Sequence, residues 1–250
     1  MQEGPYQEII IPAGRDSRRQ RSAVEAMLDR NVDGLILVAP QTPTEWLEDL
    51  GRRIPLVVVA RHGGGEHFDT VVDDEYYGAG LVVDHLVDLG HERIAHTSHP
   101  AEGLREPHVL SQTARQLGYR RAMESHGLEP HVAETSFTEE GGHEAARLFL
   151  DSGQAPTAVF AGADIAALGV LRALEDRGLS VPEDLSLCGY DNTYLAGVGR
   201  ISLTTVDQSA AQTGTTSAEL LLERIHGRRE AVHRVIRPTL RLRSTTARLA

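Results

Sequence analysis

The chain has 250 residues, 40% hydrophobic and 24% charged, enough apolar material for one large core or two ordinary ones. No apolar run approaches membrane-spanning length, and a net charge of −11 argues against the chain gripping nucleic acid by itself, since phosphate binding needs clustered positive charge. The single cysteine, Cys188, allows no intrachain disulfide. With an opening Met1-Gln2-Glu3-Gly4-Pro5 that is unlike a signal peptide, it points to a cytoplasmic setting.

Taken in order, Tyr6 to Ile11 reads as a strand and Ser17 to Arg30 as a helix with Val24, Met27 and Leu28 on one face. The basic cluster Arg18-Arg19-Gln20-Arg21 then lies at the start of that helix, as a solvated face. Leu35 to Val38 is a buried strand, Thr44 to Arg52 a helix, Leu56 to Val59 a strand, and Val71-Val72 a short strand. A helix over Gly78 to Leu89 and a strand over Arg93 to Thr97 close a first run of alternation. A second run follows, with helices from Ser111 to His126 and Glu139 to Asp151 and a strand over Ala133 to Phe137. Two such runs predict two parallel-sheet subdomains with a cleft between them.

The stretch from Pro156 to Asn192 is the most informative. Thr157 to Phe160 suits a buried strand, and Ile165, Leu168, Leu171 and Leu174 recur at helical spacing. Asp164 stands where an N-cap belongs, and Gly178 where the chain must leave the helix. A strand over Leu185 to Cys188 then delivers Gly189, Tyr190 and Asp191 at its carboxyl end. Strand, helix and strand make one right-handed parallel crossover, and ligands bind beyond the carboxyl ends of such strands. Leu203 to Val206, a helix over Ala210 to His226 and an extended Val232 to Leu242 complete the chain.

The wording of this stretch, PTAVFAGAD, AALGVLRAL and GLSVPEDLSLCGYDN, resembles the effector-binding core of the LacI/GalR transcription regulators. The resemblance continues through Val32-Asp33-Gly34-Leu35-Ile36, Leu89-Gly90-His91-Glu92-Arg93-Ile94-Ala95 and Leu203-Thr204-Thr205-Val206, to Arg243-Ser244-Thr245. It implies a periplasmic-binding-protein-like α/β fold with two Rossmann-like subdomains joined by a three-strand hinge. Residues 1–97 plus 207–238 would form the N-terminal subdomain, and 98–206 plus 239–250 the C-terminal one. The strand and helix that open the family's sensor, and the helix-turn-helix and hinge helix before them, have no counterpart in this sequence. That strand would sit between neighbours in the first sheet, so its absence would leave backbone groups unpaired.

The resemblance also nominates a site. Arg115, in the stretch opened by Ser111, matches the family arginine that grips ligand hydroxyls; without the resemblance it would read as an exposed helix residue. Asp191 would accept hydroxyls opposite Arg115, a role compatible with a turn at Asp191-Asn192. Phe137 matches an aromatic that stacks on the ligand ring, and would otherwise be core. Arg61 also faces the expected cleft. Ala163 departs from the pattern, since several members carry a polar ligand contact there, often asparagine. Leu168 and Tyr194 fall near the family's dimer surface in the second subdomain.

Catalytic look-alikes do not hold. His62-Gly63-Gly64-Gly65 resembles an oxyanion loop, but no Gly-x-Ser-x-Gly elbow exists. His91-Glu92-Arg93-Ile94-Ala95-His96 misses the zinc-protease spacing by one residue and falls in a predicted strand. No nucleotide-binding fingerprint is present, so no cofactor, no metal and no enzyme activity are expected. The expected function is effector sensing within a bacterial repressor: a small sugar-like molecule bound between subdomains, a homodimer, and operator DNA reached only through a helix-turn-helix outside this sequence. The rival is a sugar-binding protein of a transport system, which shares the fold.

Overall fold

The computed structural model describes residues 6–14, 16–100 and 108–249. In chain order the elements are α1 (Ser17–Leu28), β1 (Leu35–Val38), α2 (Thr44–Arg53), β2 (Leu56–Val59), β3 (Asp69–Asp73), α3 (Glu75–Asp88) and β4 (Ile94–Ser98). There follow α4 (Ser111–Ser125), β5 (His131–Glu134), α5 (Glu139–Leu150), β6 (Ala158–Ala161), α6 (Asp164–Glu175) and β7 (Ser186–Tyr190). A 3-10 turn (Tyr194–Gly197), β8 (Thr204–Asp207), α7 (Ala210–Ile225), β9 (His233–Ile236) and β10 (Thr239–Arg241) complete the set.

The strands form two sheets. The first has the order β1-β2-β3-β9 and is wholly parallel; the second has the order β10-β8-β7-β6-β4-β5 and is parallel except for β10 against β8. Alternation of side chains along each strand explains the layers. In β2, Leu56 and Val58 join Val24 and Met27 of α1 and Leu47 and Leu50 of α2, whereas Val57 points to Leu220 of α7 on the other face. In β6, Val159 and Ala161 meet α5 and α6, whereas Ala158 and Phe160 meet α3 and α4. Asp69 anchors α7 to the first sheet: its Oδ1 accepts from Arg224 at 2.9 Å and from the Val232 backbone N–H at 2.9 Å.

The chain passes between the sheets three times: from β3 through α3 to β4, from β8 through α7 to β9, and from β9 to β10. Here the expected partition needs correcting. Residues up to 97 were assigned to the first subdomain, but β4 pairs between β5 and β6 of the second sheet, and α3 packs on α4. Alternation of strand and helix continues unbroken through the first crossing, so periodicity does not mark it.

Two further expectations fail locally. Tyr6 to Ile11 is irregular, with Ile9 51% and Ile10 76% exposed. A strand needs a partner ladder, and among the described residues no strand lies beside this segment. The strand read as Ala133 to Phe137 runs from His131 to Glu134, so Phe137 belongs to the loop before α5. Gly178 does terminate its helical segment, with φ +68°, a conformation only glycine takes without strain.

Candidate functional site

The carboxyl ends of β3, β6 and β7 meet at the first crossing, and α4 lays Arg115 across them. Its guanidinium is buried, donates to the Gly162 carbonyl, and lies 3.5 Å from the centre of the Tyr190 ring and 5.8 Å from that of Phe137. Its other edge is 4.0 Å from Asp191 Oδ1. Flat cation against aromatic face is a favourable electrostatic arrangement, and it fixes the plane in which the remaining N–H groups point. Ser111 stands one turn earlier on the same face of α4, and both Ser111 Oγ and Arg115 Nε are buried without a hydrogen-bond partner among the described residues.

Asp191 leaves β7 with φ 108°, followed by Asn192 at 51°, a left-handed turn that swings the carboxylate back over the strand end. Gln208 donates to its Oδ1 at 3.2 Å. Burial pushes this carboxyl up to about 7, against the pull of the Arg115 charge.

The structure adds a network that sequence reasoning did not find. The Tyr190 hydroxyl donates to Asp73 Oδ2 at 2.6 Å, so the end of β7 in the second sheet is tied to the end of β3 in the first. Asp73 is buried beside Glu75, and burial plus the Glu75 charge push its carboxyl up to about 8. Burial works to raise Glu75 too, but the hydrogen bond and charge of His62, with Arg115 behind, hold it below the ordinary carboxylate value. His62 Nε2 donates to Glu75 Oε2, and this pairing outweighs burial and raises the imidazole. The run Asp73-Asp74-Glu75 at a strand end looks solvated in the sequence. Its only telltale is that two of the three acids fall where the strand and helix still face inward.

The other nominated residues separate. Arg61 is buried, but its guanidinium is directed to the carbonyls of Pro40 and Thr42 and to Thr44 Oγ1, bracing the loop after β1. Ala163 is the N-cap residue of α6, with no side-chain cap bond. Asp164, expected as the cap, instead accepts from the Thr193 N–H at 2.6 Å and from the hydroxyls of Thr193 at 3.0 Å and Thr205 at 2.6 Å. As the first residue of α6 and not its cap, it turns its carboxylate across to the turn after β7 and to β8. Leu168 is half-buried on α6, while Tyr194 is 83% exposed. His91 bonds Thr157, Ser186 and the Ala247 carbonyl; His96 donates from Nδ1 to the Phe160 carbonyl and is pushed down to about 3 by burial, so it is neutral.

A family model described as a periplasmic binding protein-like domain matches residues 83–246. The HTH-type transcriptional repressor PurR of Pectobacterium carotovorum is 32% identical over 249 residues, covering 97% of this chain and 71% of that protein. The chain belongs to the LacI family of transcriptional regulators. Its effector-binding fold is shared with a solved LacI transcriptional regulator from a Rhodococcus species, with a TM-score of 0.85 and 34% identity over 92% of this chain and 84% of that one. A LacI family regulator from Enterococcus faecium, solved with bound ribose, gives a TM-score of 0.81 and 30% identity over 92% of this chain and 85% of its own. Among the described residues no helix is long and apolar enough to cross a membrane.

Proposed function

We propose that the chain is the sensing region of a repressor whose effector is a small hydroxyl-rich molecule of the sugar class, held where the two sheets meet. The observation that carries this reading is Arg115: a buried guanidinium with one uncommitted N–H, set between two aromatic faces and opposite Asp191. Alternating donors and acceptors beside an apolar ring face match the surface of a pyranose or furanose, which is apolar on its C–H face and polar at its rim. The ribose bound by the Enterococcus relative supports the same class.

Binding at the junction would favour one angle between the lobes, and a ligand shifts that equilibrium only by its difference in affinity for the two states. In a homodimer built on the half-buried Leu168 and the exposed Tyr194, that angle sets the spacing of paired DNA-reading heads on a two-fold operator. A thermal-shift screen against sugars tests the site. A ligand at a hundred times its dissociation constant adds about 2.7 kcal/mol of stability, and Arg115→Ala and Asp191→Ala each abolish that gain. A shift that survives both substitutions would place the effector elsewhere.

A further inference from the structure

Resting on that reading of the cleft, the way Arg115 is held bears on how the site is joined to the angle between the lobes. An arginine side chain rotates about several bonds, so an unanchored guanidinium presents its donors in many directions. Arg115 has two holds. The Gly162 carbonyl accepts from one terminal nitrogen, and the centre of the Tyr190 ring lies 3.5 Å from the guanidinium carbon. The edge left over carries Nε, buried and without a hydrogen-bond partner among the described residues. The ring that sets the guanidinium plane therefore also sets where that donor points.

Gly162 directly follows β6, and its own N–H donates to Thr97 of β4, so the second sheet alone fixes it. Tyr190 is placed differently. It ends β7 and is fully buried, and its hydroxyl donates to Asp73 Oδ2 at 2.6 Å, at the end of β3 in the first sheet. Residues of two passages between the sheets close around the same oxygen. A Cβ on Gly78, near the start of α3, would lie 2.5 Å from the hydroxyl and 3.1 Å from Cγ of Pro238, between β9 and β10. Glycine at this position leaves the hydroxyl its path to Asp73. A rotation of the lobes that parts β3 from β7 pulls on this bond, and the ring carries the movement to Arg115.

We infer that Tyr190, with Asp73 behind it, is a positioning residue of the effector site: its ring aims the free edge of Arg115, and its hydroxyl makes that aim depend on the angle between the lobes. The first sheet thereby acts on a grip that the second sheet carries. By linkage, an effector that draws on Arg115 favours the angle at which this tie is made.

The test needs no sugar. In the isotope-labelled intact chain, the Nε–H proton resonance of Arg115, identified by its loss in Arg115→Lys, is expected upfield of those of exposed arginines because of the Tyr190 ring current. Tyr190→Phe keeps the ring and removes the tie, and is expected to return the resonance towards the exposed arginines while the backbone amides of α1 and α5 keep their positions. A loss of stability alone would not move it. Asp73→Asn, which retains an acceptor, is expected to keep the wild-type position and Asp73→Ala to lose it; equal positions in these two remove Asp73 from the role. A resonance unmoved in Tyr190→Phe overturns the inference and leaves the sugar reading, which the thermal-shift screen decides, standing. Should that variant fail to fold, Gly78→Ala, whose added carbon drives the hydroxyl off Asp73, decides by the same criterion. A wild-type resonance without the upfield displacement overturns the inference before any variant is made.

Discussion

The two sheets of this molecule are unequally finished. In the second, every residue of β4, β6 and β7 is buried, helices cover both faces, and the outer strands β5 and β10 are short. In the first, β1 is an edge whose Ile36 and Val38 are 38% and 69% exposed, and the segment Tyr6 to Ile11 is irregular, with only Ile11 packed against the core. Both regions carry sequences of strand-forming composition. What separates them is the presence of a neighbour: β-branched residues make a strand only where a second backbone supplies the ladder, and otherwise stay exposed.

That contrast can be broken most forcefully from the finished side. Phe160, at the centre of the second sheet, touches the stacked rings of His96 at a centroid distance of 4.6 Å and lies within 6.4 Å of Tyr119 and Tyr190. Phe160→Ala should cost about 3–5 kcal/mol in a urea titration, because the surrounding rings cannot collapse into the space left. A loss under 1 kcal/mol, roughly the scale of an ordinary surface change, would mean that the second sheet is looser than its burial indicates.

The junction is expected to respond less, and in a pH-dependent way. Asp73 has its carboxyl raised to about 8 in the folded chain, above the unfolded value, so the folded state holds that proton more tightly. Its contribution to stability is therefore fully present below about pH 4 and is lost as pH rises towards 8, by at most about 1.4 kcal/mol per pH unit. Asp73→Asn keeps an acceptor for Tyr190 and should reduce the fall of the melting temperature between about pH 5 and 8, leaving the part due to Asp191, whose carboxyl burial pushes up to about 7. A slope identical to wild type would place the titrating proton on another group.

The smallest effect belongs to the unfinished side. Ile10→Asp should alter stability by no more than about 0.5 kcal/mol, as for any exposed position without partners. A larger loss would reveal packing of this segment that its 76% exposure does not suggest.

Much of the architecture was legible because it is local. The strands Leu35–Val38 and Leu56–Val59 fall where their apolar runs begin and end, and the helices carry their periodic faces inward. Arg115, Phe137 and Asp191 were nominated and do come together. The rest depends on distances along the chain that no pattern encodes. His62 and Glu75 are 13 residues apart on separate elements, and Tyr190 and Asp73 are 117 apart. Arg61 looked cleft-facing because it follows a strand, but the carbonyls of the neighbouring loop outbid the cleft for its donors. Asp164 was read as a cap by position, and only the return of the chain at Thr193 and Thr205 shows why it serves another purpose.

The three passages between sheets also bear on the order in which the protein can form during synthesis. The outermost strand of the second sheet, β10, and the segment after it arrive last: Thr245 Oγ donates to the Leu187 carbonyl at 2.7 Å and accepts from the Thr204 N–H at 2.9 Å, and the Ala247 N–H donates to Ser186 Oγ at 3.0 Å. The first sheet likewise waits for β9 beside β3. Neither lobe is complete when its first strands leave the ribosome, so the vectorial, domain-by-domain folding open to beads-on-a-string proteins is closed to this one. The nascent chain carries both half-built sheets together until β9, β10 and the segment after it have emerged.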